Sequence, residues 1–250
     1  MSEVLNESLG ATMVITLNRP EKKNALTPDM YSELNRLFSK AAGDFSIRTV
    51  VITGAGSAFT AGNDIFDFLN TPPTGPDSPV MKFLATLHNF PKPLIAAVHG
   101  NAVGIGTTML LHCDLVYAAD DSKFSMPFVS LGLVPEAGSS LLFPRLAGHV
   151  KASEIFLTGR SFDASEAKEF KIINEVTPQP LVKAKEMAEL INQQPPTSVM
   201  NTKALLKSGS HDALEVVMKV EGELFQMALE SDEAKDAFMK FLASKSEKKV

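Results

Sequence analysis

The run Leu94-Ile-Ala-Ala-Val98 is short and wholly apolar, and it is entered through Pro91 and Pro93, which suits a buried strand. Gly100, Gly104 and Gly106 follow and permit a tight turn, and Met109, Leu110 and Leu111 then continue as a helix packed inside. A strand, a glycine turn and a helix start aim unpaired backbone N–H groups at one point, which makes a ready site for negative charge. Downstream, Glu136 stands between Pro135 and Ala137-Gly138, a lone carboxylate in apolar company. A turn that stabilises an anion, together with one such carboxylate, suggests proton abstraction next to a carbonyl.

The rest of the chain supports an α/β architecture. Met13–Leu17 and Val50–Thr53 read as buried strands, the second closed by Gly54-Ala55-Gly56. Between them Pro20–Asn24 reads as a charged loop. A helix then starts at Thr27-Pro28 and places Leu34, Leu37, Phe38 and Ala41 on one face. That strand–helix–strand rhythm predicts a βαβ unit with a parallel sheet. Asn70–Pro79 is dense in helix breakers and reads as a long loop beside the site, and Met81–Phe90 reads as an amphipathic helix. Leu115–Ala118 is a third short strand, and Ser140–Leu146 and Val150–Thr158 are helical. Asp163-Ala-Ser-Glu166 is a capping box before a strand-like Ile172–Val176. Beyond Pro180 every periodic segment is helical. The organisational boundary falls at Pro195-Pro196, dividing residues 1–195 from residues 196–250.

Other chemistries are poorly served. Gly104-Ile105-Gly106 has Met109 where a dinucleotide fingerprint needs its third glycine, and no Gly-Lys-Ser or Gly-Lys-Thr is present. His88, His99, His112, His149 and His211 have no ligand spacing with Cys113 or one another, so no metal is expected. His112 and Asp114 read as helix-end and loop residues. A net charge of -5 disfavours nucleic acid as a partner. The apolar runs are far too short for a membrane span. A start carrying acids where a targeting peptide carries bases, a single cysteine and no C-terminal Ser-Lys-Leu lead us to expect a soluble cytoplasmic enzyme.

Asn18-Arg19-Pro20, Asn24-Ala25-Leu26, Phe59-Thr-Ala-Gly-Asn-Asp64, Pro91-Lys-Pro93 and Gly104-Ile-Gly106 fall in one order along the chain. In that order they resemble the enoyl-CoA hydratase/isomerase (crotonase) superfamily. Pro135-Glu-Ala-Gly-Ser-Ser140 is most similar to its Δ3,Δ2-enoyl-CoA isomerase branch. The resemblance implies a crotonase-like (ClpP/crotonase) ββα spiral with a C-terminal helical region that forms homotrimers or dimers of trimers.

The resemblance also implies roles. The backbone N–H groups of Asn63 and Ile105 form an oxyanion hole for a thioester oxygen, with Gly106 allowing close approach. Lys22, Lys23, Ala25, Ala61, Asp64 and Ile65 line the groove for coenzyme A, which the acyl-CoA substrate itself carries, so no separate cofactor is expected. The two acids of a hydratase match Thr108 and Phe128, neither of which transfers protons at neutral pH. Glu136 matches the isomerase base, and Leu133, Val134 and Phe128 around it are expected to raise its pKa. The implied activity is a single-glutamate shift of a double bond from the 3 to the 2 position of an acyl-CoA, in fatty acid β-oxidation. Its rivals are a hydratase or another reaction through a CoA enolate, and a catalytically silent acyl-CoA-binding protein.

Overall fold

A computed structural model describes residues 2–70, 75 and 77–247. Its strands are β1 (Val4–Leu9), β2 (Thr12–Leu17), β3 (Thr49–Gly54), β4 (Leu94–Val98), β5 (Asn101–Val103), β6 (Leu115–Ala118), β7 (Lys123–Ser125), β8 (Phe162–Asp163) and β9 (Glu175–Val176). The helices are α1 (Pro28–Gly43), α2 (Ile65–Asn70), α3 (Pro79–Asn89), α4 (Ile105–Thr108), α5 (Ser139–Ala147), α6 (His149–Thr158), α7 (Ala164–Glu169), α8 (Pro180–Asn192), α9 (Pro196–Ser208), α10 (His211–Glu230) and α11 (Asp232–Glu247).

A six-stranded sheet runs β1-β2-β3-β4-β6-β9, and a three-stranded sheet runs β5-β7-β8. In the larger sheet only the β1–β2 pair is antiparallel. The period-two alternation of strand side chains divides the central strands between two cores. Val14, Val51, Ile95, Ala97 and Tyr117 pack against Ala184 and Ala188 of α8. Met13, Ile15, Val50, Ile52, Ala96 and Val98 face the main core beneath α1 and α3. Burial on both faces explains why these strands read as unbroken apolar runs.

The chain repeats a pattern of a strand in the large sheet, a strand in the small sheet, then a helix. β4, β5 and α4 form one such unit, and β6 and β7, followed by the 3-10 turn Val129–Leu131, form another. This is the ββα arrangement expected from the sequence, with one correction. Leu94–Val98 does not turn directly into the central helix, because Asn101–Val103 first joins the small sheet beside β7. Gly100 makes the step between sheets at φ 57°. A Cβ on Gly100 would strike the Ser57 carbonyl oxygen, a backbone atom that cannot swing away. Gly100→Ala is therefore expected to lower stability by about 2 kcal/mol or more. An unchanged urea midpoint with an unchanged m-value would contradict this.

Local signals are met where capping sets them. The Thr27 hydroxyl accepts from Met30 N–H at the start of α1, and the Asp163–Glu166 capping box opens α7. Other elements differ from the sequence reading. β1 was not anticipated, because Val4-Leu-Asn-Glu-Ser-Leu9 buries only Val4 and is held by backbone pairing to β2. Pro20–Lys22 is a 3-10 turn, not open loop. The central helix gives way to a 3-10 stretch at Met109–His112. Of the strand-like Ile172–Val176, only Glu175 and Val176 pair with β6, while Ile172 and Ile173 are buried in the core. Of the expected loop Asn70–Pro79, Asn70 ends α2, Pro79 starts α3, and residues 71–74 and 76 lie outside the described residues.

Candidate active site

Asn63, Ile105 and Glu136, which come from three separate segments, line one cavity of about 490 Å³. Apolar side chains of α3 (Val80, Met81, Leu84), α10 (Met218, Phe225) and Phe68 form much of the remaining wall.

Local backbone geometry leaves the N–H groups of Asn63 and Ile105 outside the bridge and helix bonds around them. Leu26 N–H donates to Gly62 O at 2.8 Å and Asp64 N–H donates to Leu26 O at 2.9 Å, so Asn63 lies opposite Leu26 in a single parallel bridge. In that pattern the flanking residues bond to Leu26, and the N–H of Asn63 points the other way. Ile105 is the first residue of α4, behind Gly104 at φ 56°, and the N–H of a first helical residue has no intrahelical carbonyl to reach. A Cβ on Gly106 would lie 2.5 Å from Thr60 Cγ2, so this glycine lets α4 pack closely on the Phe59–Asp64 loop.

Glu136 is half-buried. Its Oε1 accepts from the Thr108 hydroxyl at 2.5 Å. Desolvation pushes its pKa up to about 8, against the pull of the Thr108 hydrogen bond and with a smaller push from the negative charge of Glu221. The preceding apolar residues are not equally placed: Leu133 and Phe128 are buried, Val134 only partly. The loop behind Glu136 is strained and pinned, since Ala137, a non-glycine residue, sits at φ 59°. Its carbonyl accepts from His112 Nε2 at 2.7 Å. Burial first of all lowers the His112 pKa to about 4, so the ring is neutral and carries its proton on Nε2.

The sequence reading missed three participants. The Tyr31 hydroxyl donates to Asn63 Oδ1 at 2.5 Å and so fixes that loop; in the sequence Tyr31 belongs to the buried stripe of α1 and gives no polar signal. Thr108, noted only because it is not an acid, holds the carboxylate. Glu221 of α10 is buried and lines the same cavity, so Glu136 is not the sole carboxylate there.

The expected groove residues do not themselves line this cavity, but their two segments are brought together on either side of Asn63, which does. Ala61 N–H donates to Lys23 O at 2.9 Å, which places the Lys22–Ala25 segment beside the Ala61–Ile65 segment. Lys22 and Lys23 are exposed, and Ile65 packs against the main core. The Asp64 carboxylate is engaged by Arg19 Nη1 at 2.7 Å. Asp114, read as a loop residue, accepts from the buried Lys203 of α9 at 2.6 Å, tying that helix to the sheet.

The enoyl-CoA hydratase/isomerase family matches residues 7–248. Human enoyl-CoA delta isomerase 2 is 36% identical over 93% of this chain, which spans 61% of that protein's length. The rat isomerase is covered to a similar extent, 64%. The chain therefore spans about three-fifths of the first curated relatives it matches. Two Escherichia coli proteins are covered almost whole. 1,2-epoxyphenylacetyl-CoA isomerase is 33% identical over 98% of this chain and 97% of its own. 2,3-dehydroadipyl-CoA hydratase is 30% identical over 98% of each. Among solved structures, OdaA of Pseudomonas aeruginosa superposes with a TM-score of 0.94 at 41% identity, over 96% of this chain and 99% of its own. The crotonase-like fold expected from the sequence is the fold observed.

Proposed function

The chain belongs to the enoyl-CoA hydratase/isomerase family, and on that premise we propose that it is a Δ3,Δ2-enoyl-CoA isomerase working in fatty acid β-oxidation. The observation that carries this reading is Glu136, held by Thr108 in a largely apolar cavity; the resemblance adds that Thr108 and Phe128 match the two acids of a hydratase. The thioester oxygen takes the N–H groups of Asn63 and Ile105 as an oxyanion hole. The oxygen of Glu136 not engaged by Thr108 removes a proton from C2, and the electron pair of that C–H bond passes into a dienolate. The same oxygen returns the proton at C4, leaving the double bond between C2 and C3. A raised pKa makes Glu136 a strong base once ionised. Coenzyme A follows the Lys22–Ala25 and Ala61–Ile65 segments.

Hydration stands as the second reading, because Glu221 brings another carboxylate to the cavity. Both oxygens of Glu221 already accept backbone N–H groups, from Gly138 at 2.6 Å and Ser140 at 2.9 Å, which opposes its use as a water-activating base. Incubation with 3-hexenoyl-CoA tests the proposal. Growth of the ultraviolet absorbance of a conjugated thioester supports it, and binding without any change in the ligand contradicts it in favour of a silent acyl-CoA-binding protein.

We also propose that residues 196–250 act as an assembly region set on the body of residues 1–195. α10 is two-faced. Leu214, Met218, Glu221 and Phe225 point inward, while Val216, Val220, Leu224 and Met227 form an exposed apolar stripe at helical spacing. α11 buries Phe238 and exposes Met239 and Leu242. A homotrimer or a dimer of trimers covers these faces, and we place the enzyme in the cytoplasm. No helix among the described residues is long and apolar enough to cross a membrane. Sedimentation is expected to give an oligomer at micromolar concentration, with Leu224→Glu shifting it toward smaller species; a wild-type monomer contradicts the assembly.

A further inference from the structure

We infer that Glu221 of α10 is a positioning residue for Glu136, holding the loop that carries the base and keeping a negative charge beside it. This rests on the proposed role of Glu136 and adds to it a part played by the C-terminal helices.

The geometry begins at the start of α5. The N-cap of α5 is Gly138 at φ 69°, a residue with no side chain to cap the helix. Its first turn thus lacks the usual local acceptor for unpaired N–H groups. Glu221 supplies one from a distant part of the chain. Oε2 accepts from Gly138 N–H at 2.6 Å and Oε1 accepts from Ser140 N–H at 2.9 Å, so both oxygens are engaged in a fork on the N-terminus. A carboxylate at a helix N-terminus is favoured by the helix dipole as well. Glu221 is only 6% exposed, so the fork is shielded from water.

The fork sits two residues beyond Glu136. Between them is Ala137, whose left-handed backbone persists only where neighbours determine it. His112 grips the Ala137 carbonyl on one side, and Glu221 grips the next N–H on the other. Loss of either grip frees the loop to relax, and the Glu136 carboxylate then leaves its position beside Thr108. Burial raises the pKa of Glu221 itself, against the pull of its hydrogen bonds to Ser140 and Gly138, and in its ionised form its charge opposes ionisation of Glu136. The other titratable groups on this cavity are Tyr31 of α1, His88 of α3, and Glu215, Lys219 and Glu223 of α10, with His112 behind the loop. Tyr31 is held protonated by burial, and burial likewise lowers the pKa of His88.

Two full-chain variants alter charge and reach to different degrees. Glu221→Gln keeps the length, removes the charge and leaves one oxygen to accept where the carboxylate had two. Glu221→Asp keeps the charge and withdraws it by one methylene. Turnover of 3-hexenoyl-CoA is read beside the Glu136 titration, followed by NMR of ¹³C-carboxyl glutamate, with Glu136→Gln assigning the signal. In Glu221→Gln the Glu136 midpoint is expected to fall by about 0.5 pH unit or more. In Glu221→Asp kcat is expected to fall about tenfold or more while KM changes little. An unmoved Glu136 midpoint in Glu221→Gln overturns the inference, as does wild-type kcat in Glu221→Asp. A loss of thermal stability with no change in either readout reduces Glu221 to a helix cap and also overturns it. The titration needs no turnover, so a wild-type protein that fails to isomerise the substrate defeats the proposed function while leaving this inference to be decided.

Discussion

Glu136→Gln is expected to bind acyl-CoA as wild type does and to lose turnover by roughly 10²–10⁴-fold. The amide keeps the shape of the carboxylate and can still meet Thr108, so the cavity and the segments around it are undisturbed. What disappears is the proposed base. Glu221 is a poor substitute, because both its oxygens are committed to the start of α5. The pH dependence follows from the same residue. With a pKa of about 8 in the free enzyme, Glu136 is mostly protonated at neutral pH, so kcat/KM is expected to rise about tenfold per pH unit and level off above about 8.

Stability moves in the opposite sense. Glu136 has a folded-state pKa raised from its ordinary 4.5, so its contribution is fully present below about 4.5 and is lost as pH rises through about 8. The Gln variant, which never ionises, should therefore be more stable than wild type above pH 8 and gain nothing near pH 4. Near-wild-type turnover in this variant, or a pH profile flat from 6 to 9, would show that another residue is the base.

Ile105→Pro is the second large effect. Proline is tolerated at the first position of a helix, where the lost N–H has no intrahelical partner. Here that N–H is the proposed oxyanion donor, so the substitution removes it while the start of α4 is retained. Gly104, at φ 56°, has no Cβ to clash with the new ring. Removing one such donor typically lowers kcat by about 10²–10³-fold. Circular dichroism should show a folded protein with a modestly lowered melting point, since Ile105 is also buried. Full kcat in a folded Ile105→Pro would mean that the thioester oxygen is held elsewhere. Gly106→Val is a weaker probe, because its side chain would collide with Thr60 and disturb packing and chemistry together.

What was readable in the sequence followed from local physics. Leu94–Val98 and Leu115–Ala118 show themselves because both faces are buried, and the starts of α1 and α7 show themselves because their caps lie within a few residues. β1 does not, since backbone pairing to β2 holds a segment whose side chains are mostly exposed. Within the site, Asn63 and Ile105 were found through the resemblance and Glu136 first as a lone carboxylate in apolar company, and the structure gathers them in one cavity. Thr108, Tyr31 and Glu221 were not found, for a common reason. Each acts on a residue far away in the chain, and each sits in a helical segment whose pattern already has a structural explanation. Glu221 is the extreme case: in Val220-Glu-Gly-Glu223 it looks like part of a solvated face, and only the return of α10 over α5 buries it.

The most direct measurement is the fate of a label. 3-Hexenoyl-CoA carrying deuterium at C2 is incubated with the wild-type protein, and the product is examined by mass spectrometry and NMR. A single glutamate serving both carbons predicts 2-hexenoyl-CoA with no water added and part of the deuterium moved to C4. A product heavier by one water, or a conjugated product from Glu136→Gln at the wild-type rate, would contradict a glutamate-driven isomerase.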